Sequence, residues 1–391
     1  MLAVDGRAAE TISRSLLDRN AVSAAFFDQE APRLAKACEE MAERFSRGGR
    51  LLAMGRGQYG TDAQHVSVEF VHPVIVGKRA LPALDLSGAP SSVAPALLRP
   101  EDIVMGFAPP DGDPQTAWLL DEAHRAGAQT FALSGPDGDY AIGKDIAPSD
   151  PFIHQELIEI LYHTLWETVH VFLEHREHGQ DAGPAAFLYP FLESKPRDTS
   201  TLLANVADSI RAKARTDERL RTEAANSASA IAEAAAMIRQ RIAAGGTIFT
   251  FGNGGSATDA NDFALDCAAP IKAVRPLPAI SLSSEPAVLT AVANDIGRDA
   301  IFLRQLIAHG RPGDVAVAIS TSGGSANLIA ALEEARRRGM LTVALLGYDG
   351  GEIGRRQLAD VPLVVQCDYI PRIQEVQASI YHALIDTLQE S

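Results

Sequence analysis

The chain repeats itself. Residues 50–69, RLLAMGRGQYGTDAQHVSVE, and residues 247–266, TIFTFGNGGSATDANDFALD, share one pattern: a short apolar run, a Gly-rich turn and the start of a helix. Gly55 aligns with Gly252, Gly57 with Gly254, and Thr61-Asp62-Ala63 with Thr258-Asp259-Ala260, all at an offset of 197 residues. A second block pairs Asp102 with Asp314, Gly127 with Gly339 and Asp137-Gly138 with Asp349-Gly350, at an offset of 212. A third pairs Gln155 with Gln374 and His163 with His382, at an offset of 219. Blocks that stay in order while the offset grows mark a duplicated domain with insertions, so both halves must fold as versions of one architecture.

Each half alternates short apolar runs with helical periodicity. In the first half the runs are Leu51–Met54, Ile103–Phe107 and Thr130–Leu133, with helical patterns over 8–47, Ala117–Arg125 and 152–176. In the second half helices are expected over 201–243. Strands then follow at Ile248–Phe251, Ala279–Leu282, Val315–Ile319, Thr342–Leu346 and Pro362–Val365, with a closing helix over Ile373–Leu388. This alternation predicts α/β domains, each a parallel sheet with helices on both faces. Pro184, Pro190 and Pro196 interrupt the pattern, which divides the chain into a first domain at 1–178, a linker at 179–200 and a second domain at 201–391.

The formal net charge of −15 argues against nucleic acid or an anionic membrane as partner, yet leaves room for a small anion held by backbone N–H groups. Cys38, Cys267 and Cys367 are too dispersed for a zinc knuckle or a disulfide framework. With no signal-peptide pattern and no apolar run of membrane-spanning length, the expected location is the cytoplasm.

Two stretches of the second half speak of phosphate. Gly252-Asn253-Gly254-Gly255-Ser256 leaves a strand and enters a helix, where glycines permit close approach and free N–H groups face an anion. Ser320-Thr321-Ser322-Gly323-Gly324-Ser325 does the same after another strand. A helix needs one N-capping residue, and the surplus of hydroxyls here is what points to a ligand. No P-loop lysine follows either turn, so no nucleotide cofactor is expected. The first half has Ala108-Pro109-Pro110-Asp111-Gly112-Asp113 opposite the second loop, and Arg56 and Tyr59 opposite Asn253 and Ser256. Prolines and aspartates there are unsuited to phosphate. The first half also lacks a counterpart of the stretch around Asn294-Asp295.

GNGGS, VANDIG (292–297), GRPGDVAVAISTSGGSAN (310–327) and RIQE (372–375) together resemble the sugar isomerase (SIS) domain, and within it the phosphoheptose isomerases, which interconvert sedoheptulose 7-phosphate and a heptose 7-phosphate. The match is close over 200–390 and weaker over 1–176. The resemblance implies two tandem SIS domains, doubly wound and flavodoxin-like. Ser256, Ser320, Thr321, Ser322 and Ser325 would hold the phosphate of a small phosphorylated sugar, and Asn253 and Asp295 would contact its hydroxyls. It further implies a Zn²⁺ site made of His-x3-Glu on one helix and Gln-x7-His on another. In the first half these are His65, Glu69, Gln155 and His163, with Glu69 and His163 as the acid–base pair. In the second half Asp262 and Asp266 replace the His and the Glu, while Gln374 and His382 match. Asp262, Asp266, Gln374 and His382 are therefore the alternative metal set, with Asp266 and His382 as the alternative acid–base pair. Family active sites lie at subunit interfaces of a tetramer, so two such fused chains would form a homodimer resembling it, with one site built from both halves. The alternative is a non-catalytic protein that senses a phosphosugar.

Overall fold

In both halves the central strands are mostly apolar and wholly buried, as in Leu51–Met54, Ile103–Phe107 and Val315–Ser320, as expected when a sheet is covered on both faces. The computed structural model describes residues 6–75, 77–90, 92–135, 137–178 and 199–390, with only the backbone described at 175–178 and 199–200. In chain order the elements are α1 (Gly6–Ser46), β1 (Leu51–Met54), α2 (Gln58–Val71), β2 (Ala83–Asp85), α3 (Val93–Leu97), β3 (Ile103–Phe107), α4 (Pro114–Arg125), β4 (Gln129–Leu133), β5 (Tyr140–Ala141), α5 (Pro151–His178) and α6 (Thr199–Ala225). They continue with α7 (Ala228–Ala243), β6 (Ile248–Gly252), α8 (Gly255–Ala268), β7 (Ala279–Ser281), α9 (Pro286–Asp295), α10 (Ile301–His309), β8 (Val315–Ser320), α11 (Ala326–Arg337), β9 (Leu341–Gly347), α12 (Gly351–Arg355), β10 (Val361–Val365) and α13 (Ile370–Gln389).

Packing groups these into two compact units. One is Ala21–Thr216; the other is Asp217–Ser391 together with the residues up to Asn20. The long helices α1 and α6 therefore each contribute to both. The proline-rich tract expected as a linker lies outside the described residues up to 198, and residues 199 and 200 already belong to α6.

The first unit holds a five-stranded sheet in the order β2-β1-β3-β4-β5, and the second holds one in the order β7-β6-β8-β9-β10. Every pairing is parallel. These are the same topology twice, the doubly wound order whose chain direction switches between the first and third strands. Strand alternation distributes the core. Leu51 and Ala53 face one layer with Phe70 of α2 and Trp166 of α5, while Leu52 and Met54 face the other with Leu119 and Ala123 of α4. In the second unit Phe249, Phe251, Ala316 and Ala318 pack against Leu306 of α10 and Leu328 and Leu332 of α11.

The likeness reaches single hydrogen bonds. Gly57 and Gly254, each preceding a helix, share φ 59° with ψ −129° and −128°. Ser87 Oγ accepts from Gly55 N as Ser283 Oγ accepts from Gly252 N. Asp139 takes the amide and hydroxyl of Thr130 as Asp360 takes those of Thr342. The units differ between their second and third strands, where the first has the five-residue α3 and the second has α9 and α10, of ten and nine residues.

Candidate functional site

In a doubly wound sheet the crevice for a ligand opens at the carboxyl ends of the strands flanking the switch point. In the second unit those strands are β6 and β8, and they are followed by the two Gly-rich loops. The loops are tied together. Asn253 Nδ2 donates to Asn327 Oδ1 at 3.0 Å, and Asn327 Nδ2 donates back to Asn253 Oδ1 at 2.8 Å. Close backbone approach demands glycine here. A Cβ on Gly252 would stand 2.1 Å from Ser256 O, and one on Gly323, where φ is +59°, would stand 2.2 Å from Gly350 O.

The hydroxyls divide into two groups. Ser320 Oγ accepts from Gly323 N at 3.0 Å and Ser322 Oγ accepts from Gly324 N at 3.2 Å, which shapes the turn and leaves each hydroxyl proton to donate outward. Ser256, Thr321 and Ser325 make no side-chain hydrogen bond among the described residues. Ser256 and Ser320 are buried, Thr321 and Ser325 half-buried, and Asn253 and Ser322 exposed. With the N-termini of α8 and α11 opening at these loops, donors and helix dipoles suited to an anion gather at one sheet edge. Asp295 stands differently: exposed at the end of α9, its carboxylate accepts from Asn294 Nδ2 at 2.7 Å. Asn327 sits within the SGGSAN string, but nothing in that string marks it, because its value comes from a partner 74 residues away.

The corresponding loops of the first unit have no such array. Asp113 caps α4, its Oδ2 accepting from Thr116 N at 2.8 Å and Thr116 Oγ1 at 2.9 Å. Its other oxygen lies 3.7 Å from Arg56. Tyr59, opposite Ser256, is buried with its ring 6.2 Å from that of His154. His154 in turn lies 2.9 Å from Ser134 Oγ and 3.3 Å from Ala108 O, and burial pushes its imidazole down to about 4. It is a neutral packing histidine.

Behind the loops each unit carries a buried polar cluster. In the first, His65 and Glu69 on α2 meet His163 on α5, with ligand-capable atoms all within 4.8 Å of one another. His65 Nε2 is 3.9 Å from Glu69 Oε1, and the two imidazole rings are 5.1 Å apart and nearly perpendicular. Gln155, also buried, turns its amide nitrogen to Asp62 Oδ2 at 3.2 Å and to Gln58 O at 3.5 Å. Positions i and i+4 on α2 share a face, which brings His65 and Glu69 together. Two imidazoles and one carboxylate, all dry, are a donor set suited to zinc.

In the second unit, Asp262 and Asp266 on α8 meet His382 on α13, again within 4.8 Å. Tyr381 Oη donates to Asp262 Oδ2 at 2.9 Å. Burial, and next the neighbouring Asp262, push the Asp266 carboxyl up to about 7 against the pull of His382. Gln374 is buried eight residues before His382 on the same helix.

Comparison with known proteins accords with this architecture. A model of the SIS domain matches residues 213–347. A phosphoheptose isomerase of Geobacter sp. (strain M21) is 45% identical over 161 residues, 41% of this chain and 83% of that protein. That of Rhodospirillum rubrum is 42% identical over 165 residues, 42% of this chain and 87% of that protein. In fold, the chain resembles the tagatose-6-phosphate ketose/aldose isomerase of Escherichia coli along its whole length, with a TM-score of 0.55, 13% identity and coverage of 94% of that chain. No described helix is long and apolar enough to cross a membrane. The repeated sheet, the paired Gly-rich loops and these relatives lead to one assignment: the chain belongs to the phosphoheptose isomerase family of SIS-domain proteins.

Proposed function

We propose that the chain is an aldose–ketose isomerase of phosphosugars, acting on sedoheptulose 7-phosphate or a sugar of similar length. The observation that carries this reading is the joined loop pair of the second unit, where Asn253 and Asn327 lock two hydroxyl- and glycine-rich turns at the switch point. In this reading Ser256, Ser320, Thr321, Ser322 and Ser325 bind the phosphate, and Asn253 and Asp295 bind sugar hydroxyls. Anchoring the phosphate would let its binding energy position the distant carbonyl carbon for proton transfer.

The chemistry requires a base to take the proton from the carbon next to the carbonyl, giving an enediolate, and an acid to return a proton at the adjacent carbon. We assign these roles to Glu69 and His163, with Asp266 and His382 as the alternative pair. His65, Glu69, Gln155 and His163 would hold a zinc ion, which when bound supplies Lewis-acid polarisation of the substrate oxygens. Burial of Glu69 and His163 removes competing water from the groups that carry the proton.

The test is isomerisation of sedoheptulose 7-phosphate by the full chain and two isosteric variants. Glu69→Gln should lose at least 100-fold in kcat while Asp266→Asn keeps its turnover. Loss confined to Asp266→Asn would transfer the acid–base role to the second unit. Sugar phosphate binding with no turnover of any phosphosugar would replace the enzyme with a phosphosugar-binding protein.

A further inference from the structure

Two described residues other than glycine have φ in the left-handed region, Tyr348 and Gln357, each at 51°. Gln357 has an ordinary reason. It is exposed just past the end of α12, where Leu358 N bonds back to Ile353 O at 3.1 Å and a left-handed residue commonly closes a helix. Tyr348 has no helix to close. It follows β9 directly, at the carboxyl edge of the sheet beside β8 and the Ser320–Ser325 loop. There its Cβ crowds the following carbonyl, a strain that glycine would not carry. Such strain persists only where the surroundings over-determine the backbone. On one side, Tyr348 N donates to Cys367 O at 3.1 Å, which ties the residue to the segment that enters α13. On the other side, the turn that Tyr348 opens lies backbone to backbone on the loop. A Cβ on Gly347 would stand 2.5 Å from Thr321 O, and one on Gly351 would stand 2.2 Å from Ser322 O. Ile353 N donates to Gly323 O at 2.9 Å.

We propose that Tyr348 is a positioning residue for the anion loop: its left-handed backbone sets the turn over 348–351 as a rigid rear wall that holds Thr321, Ser322 and Gly323 in the shape that receives a phosphate. This role rests on the phosphosugar reading of that loop and adds a second support to it. The Asn253–Asn327 pair joins the two loops to each other; the Tyr348 turn joins one of them to β9 and, through Cys367, to the approach of α13. Were Tyr348 to leave the left-handed region, Gly351 and Ile353 would shift with it, and the bond from Ile353 N to Gly323 O would stretch. The loop would then have to be ordered by the anion itself, at a cost in affinity. Residues at position 348 should therefore sort by the backbone they accept, not by size or polarity. Glycine and asparagine enter the left-handed region readily, alanine less so, and a β-branched residue resists it. Tyr348 acts through the loop and is not required to touch the sugar.

The experiment titrates the full chain with sedoheptulose 7-phosphate by calorimetry, below the melting temperature of every variant, and follows isomerisation of the same sugar. Tyr348→Gly and Tyr348→Asn should bind within about threefold of wild type, whereas Tyr348→Val should bind roughly tenfold more weakly or worse. Tyr348→Val should show the same rise in KM with kcat held within about threefold, since the groups that move the proton are untouched. Tyr348→Ala, strained at the same φ without the branch, should lose at least about threefold in affinity and gives the reading should Tyr348→Val fail to fold. Folded Tyr348→Val or Tyr348→Ala binding as wild type does overturns the proposal. Equal losses in Tyr348→Gly, Tyr348→Asn and Tyr348→Val overturn it too, because they would place the phenol on the sugar. A fall in kcat at unchanged KM in Tyr348→Val does the same. If folded wild type binds no sugar phosphate, the phosphosugar reading fails and this role fails with it; binding by wild type without distinction among the variants sinks this role alone.

Discussion

Replacing Asn327 by alanine isolates what the loop-to-loop tie contributes. The substitution removes both amide bonds to Asn253, at 3.0 and 2.8 Å, together with the local bond from Leu328 N to Asn327 Oδ1, and leaves the candidate phosphate hydroxyls in place. A neutral hydrogen bond contributes a net of about 0.5–1.5 kcal/mol, so the pair is worth roughly 2 kcal/mol of coupling between the two turns. Asn253 is exposed and can turn to water, so little of this energy should appear as lost global stability. It should appear instead as the cost of ordering two untied loops around an anion. At 1.36 kcal/mol per decade, 2 kcal/mol is about 30-fold in affinity. Calorimetric titration with a phosphosugar reads this directly, alongside a thermal melt of the free protein. The expected result is a 10- to 50-fold weaker dissociation constant with a melting shift of no more than about 3 °C. Affinity within threefold of wild type would refute the view that the tie preorganises the anion site.

Other expectations follow from the same structure. Gly323→Ala places a methyl group 2.2 Å from Gly350 O at a φ of +59°, so the turn must move by about 1 Å; phosphosugar binding by calorimetry should fall at least 100-fold. Arg372 is buried between Asp217, at 2.7 Å, and Glu375, at 2.9 Å. Arg372→Met strands two buried carboxylates and should cost about 3–5 kcal/mol, read as a fall of roughly 10 °C in the melting of the second unit. Arg337 and Arg338 hold the Glu334 carboxyl down to about 2. A depressed carboxylate stabilises the fold above its unfolded value and loses that stabilisation as pH falls through its folded value. Glu334→Gln should therefore be less stable than wild type at pH 7, by about 1 kcal/mol given the solvent-exposed Arg337, with the gap closing as pH falls from about 4.5 towards 2 in denaturant titrations.

The duplication was legible because it rests on residues with few substitutes. Gly55 and Gly252 each face a backbone carbonyl closer than any Cβ tolerates, and Asp102 and Asp314 each cap the same turn before the third strand. Such positions keep their identity while helix surfaces drift. Long strands with unbroken apolar runs were equally visible, whereas β2 and β5, of three and two residues, carry too little pattern to separate from a loop. The His65–Glu69 pair and His163 are pointed to by the family's His-x3-Glu and Gln-x7-His pattern, and His163 also aligns with His382. The Asn253–Asn327 tie and the bond from Tyr381 to Asp262 could not be read, because each joins elements far apart in sequence whose approach only the sheet topology decides. The partition of α1 and α6 was hidden for a related reason: a continuous helical pattern gives no sign of which core each of its turns will join.

The capping aspartate of the first unit has a consequence for how the two halves aged. Asp113 brings a carboxylate to the helix N-terminus that corresponds to the candidate phosphate loop of the second unit, and Arg56 stands beside it. That unit is its own ligand: an anion at full effective concentration, with no dissociation constant to satisfy. In the second unit the Ser256, Thr321 and Ser325 hydroxyls make no internal bond among the described residues, and under the proposed function a bound sugar phosphate would add stability growing as RT ln(1 + [L]/Kd). On the proposed reading, the first half carries its helix-end anion within its own sequence, while the second half is stabilised at the corresponding place only as far as a sugar phosphate is supplied.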